Sequence, residues 1–425
     1  MLGLLVLAIG CVHIILTRDR NNLALFYAGY LTALEVYLRM TSGVIFYEYG
    51  KYAVIIILGI GIYYKRELNS SVIVYFFYLL LLLIGISMAD APTETLIRKQ
   101  IAFNLSGPFV LGLSAIYFYK INISKQVLLN SLYYMLLPVC CMLGLLYVKT
   151  PDIRQIAFSG AANVKMSGGF GPNQVATILG FGFFLIMVLI SQKKKITGVV
   201  FLDILISAYL FYRGIMTFSR GGILTAFIAF GGFLFFSLLD KGKFVVNLVK
   251  YLAVGSVVVV SVWIYSTAVT NGMILNRFTG KNASGTAKED ITSGRIDIIL
   301  EQLGGFYESP ILGIGVGNGK YRRLEEYNDM VVASHNEVFR LIEEHGTIGL
   351  FLLLLLITVP LINMYYSSLY AKGFLLAFYL FWFLTISHSA MRIAFPGFIY
   401  GLSLIHIRND DPEEFDDNLE TDEIE

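Results

Sequence analysis

Thirteen apolar runs, each near the length that crosses a bilayer, follow one another along the chain with short polar connections between them. A hydrocarbon core of roughly 30 Å takes about 20 helical residues. In that solvent every backbone N–H and C=O must be satisfied within the segment, so the runs imply helices. They fall at 1–16, 23–38, 44–64, 71–89, 101–119, 127–147, 175–191, 197–212, 221–239, 244–265, 348–366, 373–387 and 393–407. Composition agrees: 56% of the 425 residues are hydrophobic and 15% charged, which excludes a water-soluble globular enzyme. The first run lacks a basic leader and a small-residue cleavage site, so it is expected to be a retained span. Cys140 and Cys141 are adjacent in one apolar run and Cys11 lies in another, an arrangement that supports neither a disulfide framework nor a thiolate metal site.

Basic residues stay on the cytoplasmic side during insertion, and one alternate set of connections collects them. It holds Arg18 and Arg20, Lys65 and Arg66, Lys120 and Lys125, Lys193 to Lys195, Lys241 and Lys243, Lys372 and Arg408. The amino terminus is then expected outside and the carboxyl terminus inside, and the long hydrophilic segment from Ser266 to Ser334 outside. The predicted organisation is helices 1–10 over 1–265, an external catalytic loop with amphipathic helices over 266–347, helices 11–13 over 348–407, and a disordered acidic cytoplasmic tail over 408–425. Ten acids crowd the last sixteen positions; without them 32 basic against 20 acidic residues leave the body at +12.

Topology needs no cations outside, so the arginines predicted there require another reason: Arg98, Arg154, Arg213, Arg220, Arg295, Arg322, Arg323 and Arg392. For any one of them the plain alternative is a headgroup anchor or a solvated loop charge. Arg220 and Arg295 resist it. In "FSRGG", Ser219, Arg220 and two glycines open an apolar run at its external end, where a helix N-terminus already carries partial positive charge. In "TSGRIDIILEQL", Ser293 is the expected N-cap, and Ile296, Ile299, Leu300 and Leu303 have the spacing of an amphipathic surface helix. Two guanidiniums at two such termini suit a phosphate or pyrophosphate, which arginine grips bidentately.

"SHNEVFRLIEEHGTIGL" places His335 and Asn336 at a helix start, with Gly346 ending that helix before the next span. A lone histidine is more often a satisfied polar side chain. Beside the arginines, however, an imidazole can take a proton from a hydroxyl near neutral pH. His345, on the apolar stripe, is assigned to packing. "GIGVGNG" at 313–319 misses the dinucleotide spacing and reads as a flexible turn. "SGGFGPNQVAT" at 167–177, containing Asn173, could line a pocket or be a simple re-entry loop. His388 and Arg392 bracket a short external hairpin that could complete the site. Glu35, Asp203 and Lys250 lie in or near spans, where charge implies pairing or a wet cavity. No D-x-D or H-E-x-x-H occurs in the external segments, so metal is expected to be absent.

Taken in order, "GGFGPN", "FSRGG", "SGR-I", "SPILGIGVGN" and "SHNEVFRLIEEHGTIGL" resemble the O-antigen ligase/polymerase family of bacterial membrane glycosyltransferases. The likeness is specific between about Gly168 and Leu350. It implies an all-α, GT-C-like fold and glycan transfer, without metal or cofactor, from an undecaprenyl-pyrophosphate carrier to an acceptor glycan at the outer face of the bacterial cytoplasmic membrane. Arg220 and Arg295 resemble the family's pyrophosphate-binding arginines and His335 its acceptor-activating histidine. Ser219, Asn336, Asn173, Arg154, Arg322, Arg323, His388 and Arg392 are the expected substrate contacts. Polymerisation of lipid-linked repeats into a surface polysaccharide is preferred over ligation to lipid A core, with a chain-length regulator as a candidate partner and no role for nucleic acid. Two alternatives from other classes are a flippase for the same lipid-linked oligosaccharide and a structural or sensory membrane protein. The repeated halves and polar midplane helices common in transporters are not evident.

Overall fold

Each of the thirteen apolar runs contains a helix in the computed structural model, which describes residues 1–65, 69–90, 94–150, 158, 161–240, 244–288, 290, 292, 294–326 and 334–408. Arg154, Ser293, the side chain of Lys250 and the acidic stretch after Arg408 lie outside them. The first half runs α1 (Leu2–Thr17), α2 (Leu23–Met40), α3 (Tyr49–Tyr64), α4 (Ile73–Ile84), α5 (Glu94–Phe118), β1 (Asn122–Ser124), α6 (Lys125–Lys149) and α7 (Pro172–Ser191). The second runs α8 (Val200–Met216), α9 (Arg220–Asp240), α10 (Phe244–Val269), α11 (Met273–Phe278), α12 (Arg295–Glu308), α13 (Asn318–Glu326), α14 (Glu337–Tyr365), α15 (Leu369–His388), α16 (Phe395–Leu402) and β2 (His406–Arg408).

The expectation of thirteen full-length spans gives way at the short helices. Among the described residues, six helices are long and apolar enough to cross a membrane: α6, α7, α9, α14, α15 and residues 96–118 of α5. The run 393–407 yields the eight-residue α16, too short to cross as a helix. Its continuation is buried in protein and bonded there: Lys120 N donates to Leu404 O at 2.8 Å, and β2 pairs in parallel with β1, Ile123 opposite Ile407.

Apolar chains gain little by leaving lipid for protein, so close packing has to hold the helices together. At α7 and α9 the backbones nearly touch. A Cβ on Gly180 would lie 2.5 Å from Gly222 O, and one on Gly222 2.4 Å from Thr177 N. That contact docks the start of α9, which carries Arg220, against α7.

The glycines of 313–319 do something other than make a flexible turn. Gly313, Gly315 and Gly317 have φ of 74°, 93° and 79°, and a Cβ on Gly315 would meet Met88 O at 2.2 Å. Ile314 N donates to Glu343 O at 3.0 Å, Val316 N to Gly85 O at 3.0 Å, and Gly317 N to Glu344 Oε1 at 2.9 Å. The segment is a packed strap wedged between the end of α4 and the start of α14, admissible only with glycine. Gly346, at φ 62°, breaks α14 into a short, largely buried first segment and a long apolar helix. His345 is 2% exposed and its Nε2 lies 3.3 Å from Leu82 O, a packing role.

Candidate functional site

The "FSRGG" motif forms the α8–α9 turn, and each residue has a local reason. Phe218 adopts φ 60°, costly for a side chain of its size, while its ring is buried and stacks on Phe158 at 5.2 Å. Ser219 Oγ donates to Asn173 Oδ1 at 2.7 Å, tying the turn to the first turn of α7. Arg220 opens α9. Gly221 makes room for His388, because a Cβ there would stand 2.3 Å from that imidazole, and Gly222 makes room for α7.

Arg277, which the sequence reading passed over, ends α11 and donates Nε to Phe218 O at 3.1 Å. Its pKa is lowered by desolvation, then by Arg220 and Arg295. Arg295 is likewise held below its ordinary value by desolvation and by Arg220. Lys288 is lowered by desolvation, Arg277 and Arg220, against the pull of Asp290. Four cations from three parts of the chain therefore share one electrostatic neighbourhood. Asp290 is occupied locally, accepting from Thr292 N at 2.7 Å and from Gly294 N, which sets up the α12 N-terminus. The N-cap there is Gly294 at φ 75°. The amphipathic stripe of α12 is split: Ile296 and Leu300 are exposed and Ile299 and Leu303 half-buried, whereas Gln302 is buried and donates to Ser334 Oγ and Glu343 Oε2 at 3.1 and 3.2 Å.

His335 immediately precedes the N-cap of α14. Its pKa is pulled down to about 4 by desolvation, then by Arg392, Arg295 and His388, so the ring is neutral at pH 7. Its buried Nδ1 has no hydrogen-bond partner among the described residues. Arg392 Nη2 donates to Ser334 O at 3.0 Å, which fixes the backbone beside the imidazole. Arg220, Arg295, His335, His388 and Arg392 thus come together, joined by Arg277 and Lys288.

Other expected contacts are used elsewhere. Asn336 Oδ1 accepts from Val338 N at 3.0 Å, capping α14. Arg322 pairs with Glu308 at 2.6 Å, and buried Arg323 with Glu343 at 3.3 Å, holding α13 to α12 and α14. Arg213 is buried and bonds the carbonyls of Leu146 and Met166, both at 3.3 Å. Asp203 accepts from Ile196 N and Thr197 N at 3.0 and 2.9 Å. Among the described residues, no group of three or more His, Cys, Asp or Glu could hold a metal.

The turn carrying His388 and Arg392 is held from beneath by α2. Ala394 N donates to Glu35 Oε2 at 2.6 Å, Arg39 Nη1 to Arg392 O at 3.1 Å, and Glu35 and Arg39 pair at 2.5 Å in full burial. Glu35→Leu takes the close partner from a buried guanidinium and leaves it only the longer pair with Glu48 at 3.9 Å, an expected destabilisation of about 3 kcal/mol. Glu35→Leu combined with Arg39→Met should recover most of that stability while leaving the turn untethered. Thermal unfolding in detergent separates the two variants.

The bundle and its apolar helices define a membrane protein, with the cations clustered around the start of α9. Residues 204–354, about a third of the chain, match the family model for O-antigen ligase, Wzy_C, a family whose members transfer glycans. The matched region contains Arg220, Arg277, Lys288, Arg295 and His335, whereas Asn173, His388 and Arg392 fall outside it. No curated protein matches the chain.

Proposed function

We propose that the protein is a metal-independent glycosyltransferase that polymerises undecaprenyl-pyrophosphate-linked repeat units at the outer face of the bacterial cytoplasmic membrane. The observation that carries this reading is the convergence of Arg220, Arg277, Arg295 and Lys288 beside a neutral His335. The diphosphate of the donor would sit among the cations. As the bond between the anomeric carbon and the phosphate oxygen breaks, its electron pair passes to that oxygen, and the guanidiniums stabilise the growing charge. An acceptor hydroxyl attacks from the opposite face and gives its proton to His335, so the products are an inverted glycosidic bond and free lipid pyrophosphate. The exposed apolar residues Ile296 and Leu300 of α12 suit a helix resting on the bilayer surface.

The description of the matched family favours a second reading, ligation of a finished glycan to another acceptor. Purified protein incubated with one defined lipid-pyrophosphate repeat distinguishes them. A ladder of products is expected for polymerisation, and reaction only after a second acceptor is added would replace it with ligation. Placement outside is checked by introducing cysteine at exposed Tyr307 in the cysteine-free protein. A membrane-impermeant maleimide should label it in intact cells, and protection until lysis would reverse the orientation.

A further inference from the structure

His388 closes α15 and packs its ring on Gly221, one residue beyond Arg220. It is 9% exposed. Nδ1 lies 2.7 Å from Leu384 O, and because a carbonyl only accepts, Nδ1 carries the proton in the neutral ring. Nε2 then presents a lone pair, buried and, among the described residues, without a hydrogen-bond partner. Arg295 and His335 both lie within electrostatic reach of this imidazole. A buried acceptor left unmatched is costly, and it calls for a donor. Phosphate oxygens are acceptors and do not answer it. A sugar hydroxyl or acetamido N–H does.

We infer that His388 reads the sugar bonded directly to the diphosphate, its Nε2 accepting a hydrogen bond from the hydroxyl or amide N–H on the carbon next to the anomeric carbon. This rests on the glycosyl-transfer reading for the identity of the ligand, but its test needs no turnover. Such a contact discriminates strongly, because an analogue lacking the donor leaves Nε2 buried and unmatched.

The experiment compares binding of three ligands to full-length protein in nanodiscs: bare undecaprenyl pyrophosphate, the same lipid carrying one 2-hydroxy sugar, and its 2-deoxy analogue. Wild type should bind the 2-hydroxy ligand about tenfold or more tighter than the deoxy one. His388→Phe, which keeps an aromatic ring without the acceptor, should erase that preference while bare undecaprenyl pyrophosphate still binds. His388→Gln, whose amide oxygen still accepts, should restore part of it. Equal affinities for the two sugar ligands in wild type, or a preference that survives His388→Phe, overturns the inference. So does loss of bare-lipid binding in both variants, which would make His388 a packing residue. If the preference is as expected but wild type transfers no glycan, the transfer reading falls and the binding role stands.

Discussion

Arg295→Ala is expected to slow glycan transfer by about 10³-fold, the upper range for removing one group that stabilises charge in a transition state, while the protein stays inserted and resists unfolding at least as well as wild type. The two halves of that expectation have one cause. Without substrate, the charge of Arg220 opposes that of Arg295, and both oppose that of Arg277, a repulsion in which Arg295 takes part. Removing one guanidinium relieves it. With a diphosphate present the same groups turn attractive, and the ligand should raise the unfolding temperature of wild type more than that of the variant. Arg295→Lys keeps the charge but loses the planar fork, and its turnover should fall between the two. Single-turnover assays on purified protein, paired with thermal unfolding with and without undecaprenyl pyrophosphate, test both halves. Near-normal turnover of Arg295→Ala would remove that residue from the chemistry.

Arg220 and Arg295 were legible in the sequence because each stands at a predicted helix start, where a cation is out of place. Arg277 gave no such signal. It lies in the last turn of α11, where a helix favours positive charge, so local rules leave nothing to explain; only the fold brings it to Phe218 O. Arg323 misled in the opposite sense. It looked like a free external cation, but its partner Glu343 lies on a different helix and pairing across helices leaves no trace in spacing. The Glu35–Arg39 pair, at i and i+4, was readable in principle. Thirteen helices were counted from apolar runs, but a run reports hydrophobicity and not continuity. The last one is apolar because it is wrapped in protein, and only eight of its residues are α-helical. The glycines of 313–319 show the same limit: their need for small size comes from Met88, Glu344 and Gln100, remote in the chain.

The acid limb of kcat/KM should fall near pH 4, far below the value of about 6.5 for a free imidazole, and the acid limb of kcat should fall at higher pH. Free enzyme holds His335 neutral down to about 4 because burial and the charges of Arg392 and Arg295 oppose its protonation. A bound diphosphate offsets those cations without exposing the ring. The imidazolium is then less disfavoured, the pKa rises toward its ordinary value, and the base becomes stronger when the acceptor hydroxyl has to give up its proton. The sign for stability follows from the same shift. Between about 6.5 and 4 the unfolded chain binds a proton that the folded chain refuses, so the contribution of His335 to stability is lost as pH falls through that window. His335→Gln should remove this dependence, lower turnover by about 10²- to 10⁴-fold and abolish the separation between the two limbs. Rates measured from pH 4 to 8 with saturating and limiting donor decide it. Limbs that coincide at 6.5 in wild type, or persist in His335→Gln, would mean that some other group accepts the proton and that His335 only lines the cavity.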